Sequence, residues 1–208
     1  MKEWLKSLTD RLRRSHPDRG DDEIDMSPVT TGGGDDGQSS LFSGERYYKD
    51  TAVFEALGDI DELNSWFGII RTREGMDDHV SAIHEIQERL GRVLATCATL
   101  PNSKLFSQLT HVSDHDILSL QQIQTELKET TEIPPRFIVP GEFEGVVEID
   151  VARAIARRCE RRVVHMIREM GRSDEEVRRS QVYLNRLSDY LFVLGRAVEQ
   201  ARDPRAGV

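Results

Sequence analysis

Arg153, Arg157 and Arg161 recur at four-residue spacing within "VARAIARRCERRVVHMIREMGR", residues 151–172. A guanidinium fork matches phosphate oxygens, and four helical residues advance about 6 Å, so the row could span a polyphosphate. The same row could be an ordinary solvated face, the usual reading of such a pattern. Like charges at i, i+4 nonetheless destabilise a helix, and an opposing anion would remove that cost. A second stretch with ligand-binding chemistry is "TTGGGDDGQSS", residues 30–40. Gly32, Gly33, Gly34 and Gly37 can take positive φ and turn backbone N–H groups toward an anion, with Thr30, Thr31, Ser39 and Ser40 adding hydroxyls. No Gly-Lys-Ser/Thr follows and no strand–helix unit surrounds it. By itself the stretch reads more readily as a flexible linker. "YLNRLSDYLF" (183–192) sets Asn185, Ser188 and Asp189 in an apolar helical pattern, where solvent exposure also explains them, and "GERYYKD" (44–50) offers Lys49.

The elements that must position these residues are helices. The first periodic segment, about 51–73, spaces Val53, Leu57, Ile60, Leu63, Phe67 and Ile70 by threes and fours. The second, about 77–99, carries Val80, Ile83, Ile86, Leu90, Val93, Leu94 and Cys97 and ends at Pro101. The third, about 114–131, follows Ser113 as N-cap with Asp116 in a loose capping box. The fourth runs about 147–171, its apolar sector of Ala152, Ile155, Ala156, Cys159, Val163, Met166 and Ile167 lying opposite the arginines. The fifth starts after Ser173 and reaches about 201, with a seam of Leu184, Leu187, Leu191, Leu194 and Val198. Strand signals are nearly absent, "RFIVPG" (136–141) alone being briefly extended. An all-α, five-helix up-and-down bundle is expected.

The chain has 208 residues, with 28 Lys and Arg against 37 Asp and Glu and a formal net charge of −9. That balance argues against nucleic acid or an anionic membrane surface as partner, so an anionic ligand requires a local basic cluster. No apolar run approaches the roughly 20 residues of a membrane span. Two cysteines, Cys97 and Cys159, sit in helical apolar patterns and read as buried reduced thiols of a cytoplasmic protein. The six histidines show no zinc-ligand pairing, and no Ser/His/Asp or Cys/His set suggests a protein nucleophile. The expected organisation is an N-terminal tail over 1–29, a domain over 30–203 and a tail over 204–208.

In this order, "TGGGDDGQSSLFSGERYYKD" (31–50), "FEALGDIDELNSWFG" (54–68), "RFIVPG", "VARAIARRCERRVV" (151–164) and "YLNRLSDYLFVLGR" (183–196) resemble the trimeric helical-bundle family of ATP:corrinoid adenosyltransferases. The resemblance covers about residues 28–200. Several separated motifs in sequence outweigh the linker and solvated-face readings of each alone. It implies transfer of the 5′-deoxyadenosyl group of ATP to Co(I) of a reduced corrinoid, with adenosylcobalamin and triphosphate as products. It also implies a homotrimer whose ATP sites lie between subunits, Mg²⁺ with the nucleotide, and expected dealings with a cobalt reductase and an adenosylcobalamin-dependent acceptor enzyme.

The site residues follow from the same resemblance. Thr31, Gly34, Asp35, Gly37, Ser39 and Ser40, with Lys49, are assigned to the triphosphate and magnesium. Arg157, Arg158, Arg161 and Asn185 are assigned to the nucleotide and Glu160 to its sugar side. Asp61 is matched to an acid pairing with Arg153 across the subunit boundary, and Phe137 to an aromatic ring under the corrin, against the plain reading that it plugs the bundle end. Arg157, Arg161, Lys49, Phe137, Asp61 and Arg153 form the expected catalytic set. Two departures stand out: the family usually has threonine at Gly33 and a basic residue near Gly32 or Asp36. Weaker ATP binding is one consequence, and a catalytically weakened corrinoid or ATP carrier or sensor is the alternative function.

Overall fold

The computed structural model describes residues 33–140 and 145–202. The expected tails, Thr31 and Gly32 lie outside these residues. The chain divides after Ser39 into two compact units. In the first, residues 33–36 form a turn, with the Gly37 N–H donating to Gly34 O at 3.2 Å. Gly37 has φ +78°, a left-handed value that favours glycine. Gly33 and Gly34 do not share it, so of the four glycines expected to take positive φ only Gly37 does so among the described residues. The Asp36 carboxylate accepts the Gln38 N–H at 3.0 Å, the local turn bond that short acidic side chains form readily.

The elements are two three-residue strands, β1 (Gln38–Ser40) and β2 (Arg46–Tyr48), and five α-helices: α1 (Ala52–Arg71), α2 (Val80–Cys97), α3 (Asp114–Glu129), α4 (Val146–Glu169) and α5 (Glu175–Arg202). The strands form a small two-stranded sheet, whereas "RFIVPG" has no strand where described. The sequence reading misplaced the extended structure because strands this short show no alternation, and main-chain bonds specify this one. Leu41 N–H donates to Glu45 O at 2.8 Å, and Phe42 N–H donates to Ala98 O at 2.8 Å, tying the connection to the end of α2.

Helix positions agree with the periodicity to within a turn. Ser113 and Asp116 form the expected box: Ser113 Oγ accepts the Asp116 N–H at 3.2 Å and the Asp116 carboxylate accepts the Ser113 N–H at 2.9 Å. α5 begins slightly later than expected, because Asp174 rather than Ser173 caps it, accepting the Val177 N–H at 3.1 Å. α5 packs against α4, α3 and α2, while α1 packs against α4 and α2. The α5 seam is buried throughout, as are Val53, Ile60, Leu63, Phe67 and Ile70 of α1. Val80, assigned to the inner face of α2, is instead exposed at the helix start. Both cysteines are free and buried. No described helix is long and apolar enough to cross a membrane. Since α4 spends its apolar sector on α1 and α5, its remaining sides are left for charge.

Candidate active site

The charged residues of α4 fall into two rows with different fates. Arg158 pairs with Asp59 at 3.1 Å and with Glu62, and Arg162 pairs with Glu55 at 2.7 Å and Asp59 at 3.6 Å. These pairs clamp α4 to α1. Arg157 and Arg161 are exposed and have no carboxylate partner among the described residues. Arg153 is half-buried, its Nε 3.8 Å from Asp150 Oδ1, an ion pair too long for a hydrogen bond. The structure therefore keeps Arg153, Arg157 and Arg161 together and separates Arg158 from them. Its sequence neighbours hid this: at 100° per residue, Arg157 and Arg158 face different neighbours.

Arg153 and Arg157 border an open cavity of about 300 Å³ that Ser188, Asp189 and Phe192 of α5 and Gln124 and Lys128 of α3 also line. Three cations against one acid give a local positive site on a chain of net charge −9. That is the basic cluster an anionic ligand demands. Ser188 and Asp189 were singled out in the sequence; Lys128, Gln124 and Phe192 were not. Lys128 sits near the end of α3, and only the packing of α3 on α5 brings it to the arginines.

Beside this row, Asn185 Nδ2 donates to Glu160 Oε1 at 3.0 Å, joining two expected nucleotide contacts that lie on different helices. Arg186 donates to Asn185 Oδ1 at 2.6 Å, which fixes the amide with its NH₂ toward Glu160. Ser40 and Lys49 are exposed, the lysine between β2 and the Thr51 that precedes α1. Asp61 is exposed on α1 and has no ion pair with Arg153 within the chain, whose carboxylate neighbour is Asp150. Phe137 is 90% exposed and Val139 70%. Phe137 thus plugs nothing within its own chain. In the leading unit, Gly34 and Ser39 are half-buried while Asp35 and Gly37 are exposed.

A helical bundle that leaves Arg157 and Arg161 without a carboxylate partner beside an open cationic cavity has the local charge an anionic ligand requires. The chain belongs to the cobalamin adenosyltransferase family, whose model matches residues 29–198. It is 39% identical over 176 residues to the corrinoid adenosyltransferase MMAB of Homo sapiens, covering 81% of this chain and 67% of that protein. To the Mus musculus MMAB it is 34% identical over 202 residues, covering 91% and 84%. Among solved structures, a variant PduO-type ATP:corrinoid adenosyltransferase from Lactobacillus reuteri complexed with cobalamin and ATP superposes with a TM-score of 0.75 at 27% identity, covering 83% of this chain and 95% of that one.

Proposed function

We propose that this chain transfers the 5′-deoxyadenosyl group of ATP to the Co(I) of a reduced corrinoid. Co(I) attacks the ribose C5′, a Co–C bond forms, and the C5′–O bond breaks with its electron pair leaving on triphosphate. The corrinoid brings the nucleophile, so the protein's part is alignment and charge stabilisation. The carrying observation is the uncompensated row of Arg157 and Arg161 beside the cationic cavity. Negative charge grows on the departing oxygen, and preorganised guanidinium donors there stabilise the transition state more than the ground state.

Most of the expected residues have a task in this reading, whereas Arg158, tied to Asp59 and Glu62, holds α4 on α1 instead. Arg157, Arg161 and Lys49 take the triphosphate, Glu160 and Asn185 the nucleoside, and Thr31, Gly34, Asp35, Gly37, Ser39 and Ser40 the phosphates from the loop. Mg²⁺ keeps most of its waters and takes phosphate oxygens in preference to a full protein cage, and among the described residues no three carboxylate, imidazole or thiol groups gather into one. In this reading the metal arrives with the nucleotide, where it neutralises phosphate charge. Asp36, an unfavourable departure by charge alone, has a structural task in holding the Gln38 N–H.

The working form is a homotrimer of the 30–203 domain, in the cytoplasm, with each loop serving the arginine row of a neighbour and Asp61 reaching that neighbour's Arg153. Exposed Asp61 and Phe137, unaccounted for within one chain, support this reading. Incubation with ATP, Mg²⁺ and chemically reduced cob(I)alamin should give the spectrum of the adenosylated product; binding without product would substitute a carrier or sensor. Mixing inactive Gly34→Trp and Arg157→Ala subunits should restore partial activity, since some interfaces then join two intact halves. No restoration despite mixed trimers would remove the shared site.

A further inference from the structure

Asp150 is an acid buried one turn before the site, 7% exposed near the start of α4. Its Oδ2 accepts from Arg196 Nη2 of α5 at 3.0 Å, and its Oδ1 faces Arg153 Nε at 3.8 Å. Arg196 is itself only 2% exposed and reaches Glu199 through Nη1 at 3.0 Å. Its guanidinium carbon lies 6.0 Å from the ring centroid of Phe192, a lining residue of the cavity. Glu199, Arg196, Asp150 and Arg153 therefore alternate in sign along a chain that runs from the buried side of α5 to the cavity wall. Of the contacts of Arg196, Phe192 lines that wall directly.

We propose that Asp150 is a positioning residue for Arg153, anchored by Arg196, and that the pair sets how tightly the cavity holds the triphosphate of ATP. The inference rests on the proposed adenosyl transfer. Two buried charges are tolerated only when each is compensated, and the bond from Arg196 fixes the carboxylate at one rotamer. Fixed there, Asp150 attracts Arg153 without hydrogen-bonding it. Arg153 Nε is buried and makes no hydrogen bond, so the guanidinium is held in place by charge while the terminal nitrogens stay available to a ligand or a neighbouring carboxylate. A carboxylate closer by an ångström would tie up the fork. One further away would let a long side chain lose its direction to rotamer entropy.

The arrangement separates position from contact, and a double-mutant cycle on the full chain can read it. The variants are Asp150→Asn, Arg153→Ala and both together, with ATP as the varied substrate at saturating cob(I)alamin. The Asn side chain keeps the volume and an acceptor for Arg196 but removes the charge facing Arg153. In the parent background Asp150→Asn should raise the KM for ATP about tenfold, the scale of one lost charge-assisted contact, with kcat changed far less. In the Arg153→Ala background it should change that KM by less than about twofold. Equal effects in both backgrounds would overturn the proposal, as would an unchanged KM in the parent. Asp150→Glu, which keeps the charge but displaces it by a methylene, should recover part of the loss. Recovery equal for Glu and Gln at this position would show volume rather than charge to be what matters, which also overturns it. Should Asp150→Asn prove unfolded, Glu199→Gln loosens Arg196 from the far side and should raise the same KM, to a smaller extent and only when Arg153 is present; no rise in a folded Glu199→Gln protein counts against the relay. An inactive parent protein defeats the functional reading itself, an outcome distinct from all of these.

Discussion

α4 carries two rows of arginine that differ only in what stands opposite. Arg158 and Arg162 meet Glu55, Asp59 and Glu62 of α1 and act as fasteners between helices. Arg157 and Arg161, a fraction of a turn away, meet no acid among the described residues and face outward. Identical side chains on one helix thus fasten two helices in one row and, in the proposed function, hold the triphosphate in the other. The difference teaches that an arginine's role is read from the missing partner as much as from its own chemistry. Unit charges 6 Å apart repel by about 0.7 kcal/mol even in bulk water, a standing cost that a bound polyphosphate converts to a gain.

The sharpest way to break this comparison is to remove the outward row. Arg157→Ala or Arg161→Ala should lower kcat/KM by about a hundredfold or more, the scale seen when one preorganised oxyanion donor is lost. Neither should move the unfolding free energy by more than about 0.5 kcal/mol, because neither holds another element. Loss of stability together with activity would put the outward row among the fasteners.

Phe137 extends the contrast from charge to apolar surface. At 90% exposed it contributes nothing to the core, so Phe137→Ala should leave thermal stability unchanged. With an axial ligand, Co(II) resists reduction, and a Phe137 ring placed under the corrin, as the resemblance implies, would exclude base and water from that face. Turnover from Co(II) should therefore fall on the order of tenfold, with a milder effect when Co(I) is supplied ready-made. Absorption or magnetic resonance spectra should lose the four-coordinate Co(II) signal. A variant that keeps the signal and full activity would remove Phe137 from the site.

A third pairing sharpens what a fastener is. Asp116 takes Arg89 at 3.0 Å and Arg92 at 3.3 Å, besides its bonds in the Ser113 box. Burial pushes its carboxyl pKa up, but the Ser113 bonds and the two arginines outweigh burial and leave it below the ordinary 3.8. A depressed folded pKa contributes stability in full above the unfolded value and loses it as pH falls through the folded one. Asp116→Asn should cost about 2–3 kcal/mol at neutral pH. Chemical denaturation across pH should show that gap constant above the carboxylate range and closing below 3.8. A gap that persists unchanged in acid would mean that packing, not charge, makes the difference.

Helix existence was legible because burial and period coincide: the α5 seam of Leu184, Leu187, Leu191, Leu194 and Val198 is both periodic and buried. Ser113 and Asp116 were legible because a capping box is local chemistry. The strands were not, since three residues carry too little pattern and their specification comes from bonds such as Phe42 N–H to Ala98 O. In the site, the row of Arg153, Arg157 and Arg161 was visible from spacing, whereas Arg158 looked alike until α1 supplied its acids. Asp150 and Arg196 went unnoticed because their meeting spans 46 positions. The i, i+3 spacing of Asp150 and Arg153 was the one available signal.

The smallest expected effect tests the fasteners. Arg158 shares Asp59 with Arg162 and is partly solvated, its side chain 39% exposed. Both facts limit its worth: water competes for the guanidinium, and after Arg158→Ala the carboxylate of Asp59 still has Arg162. The loss should be about 0.5–1 kcal/mol, the range of partly exposed ion pairs. Asp59→Ala should cost more, because it removes the acid both arginines share and leaves Arg158 only Glu62 and Arg162 only Glu55. A double-mutant cycle should then return a favourable coupling of about 0.5 kcal/mol or more between Asp59 and Arg158, weakening with added salt. Throughout, adenosyl transfer by Arg158→Ala should stay within about twofold of the parent, since point changes away from reacting groups leave transition-state contacts intact. A large fall in activity with no fall in stability would return Arg158 to the nucleotide site and erase the division between the two rows.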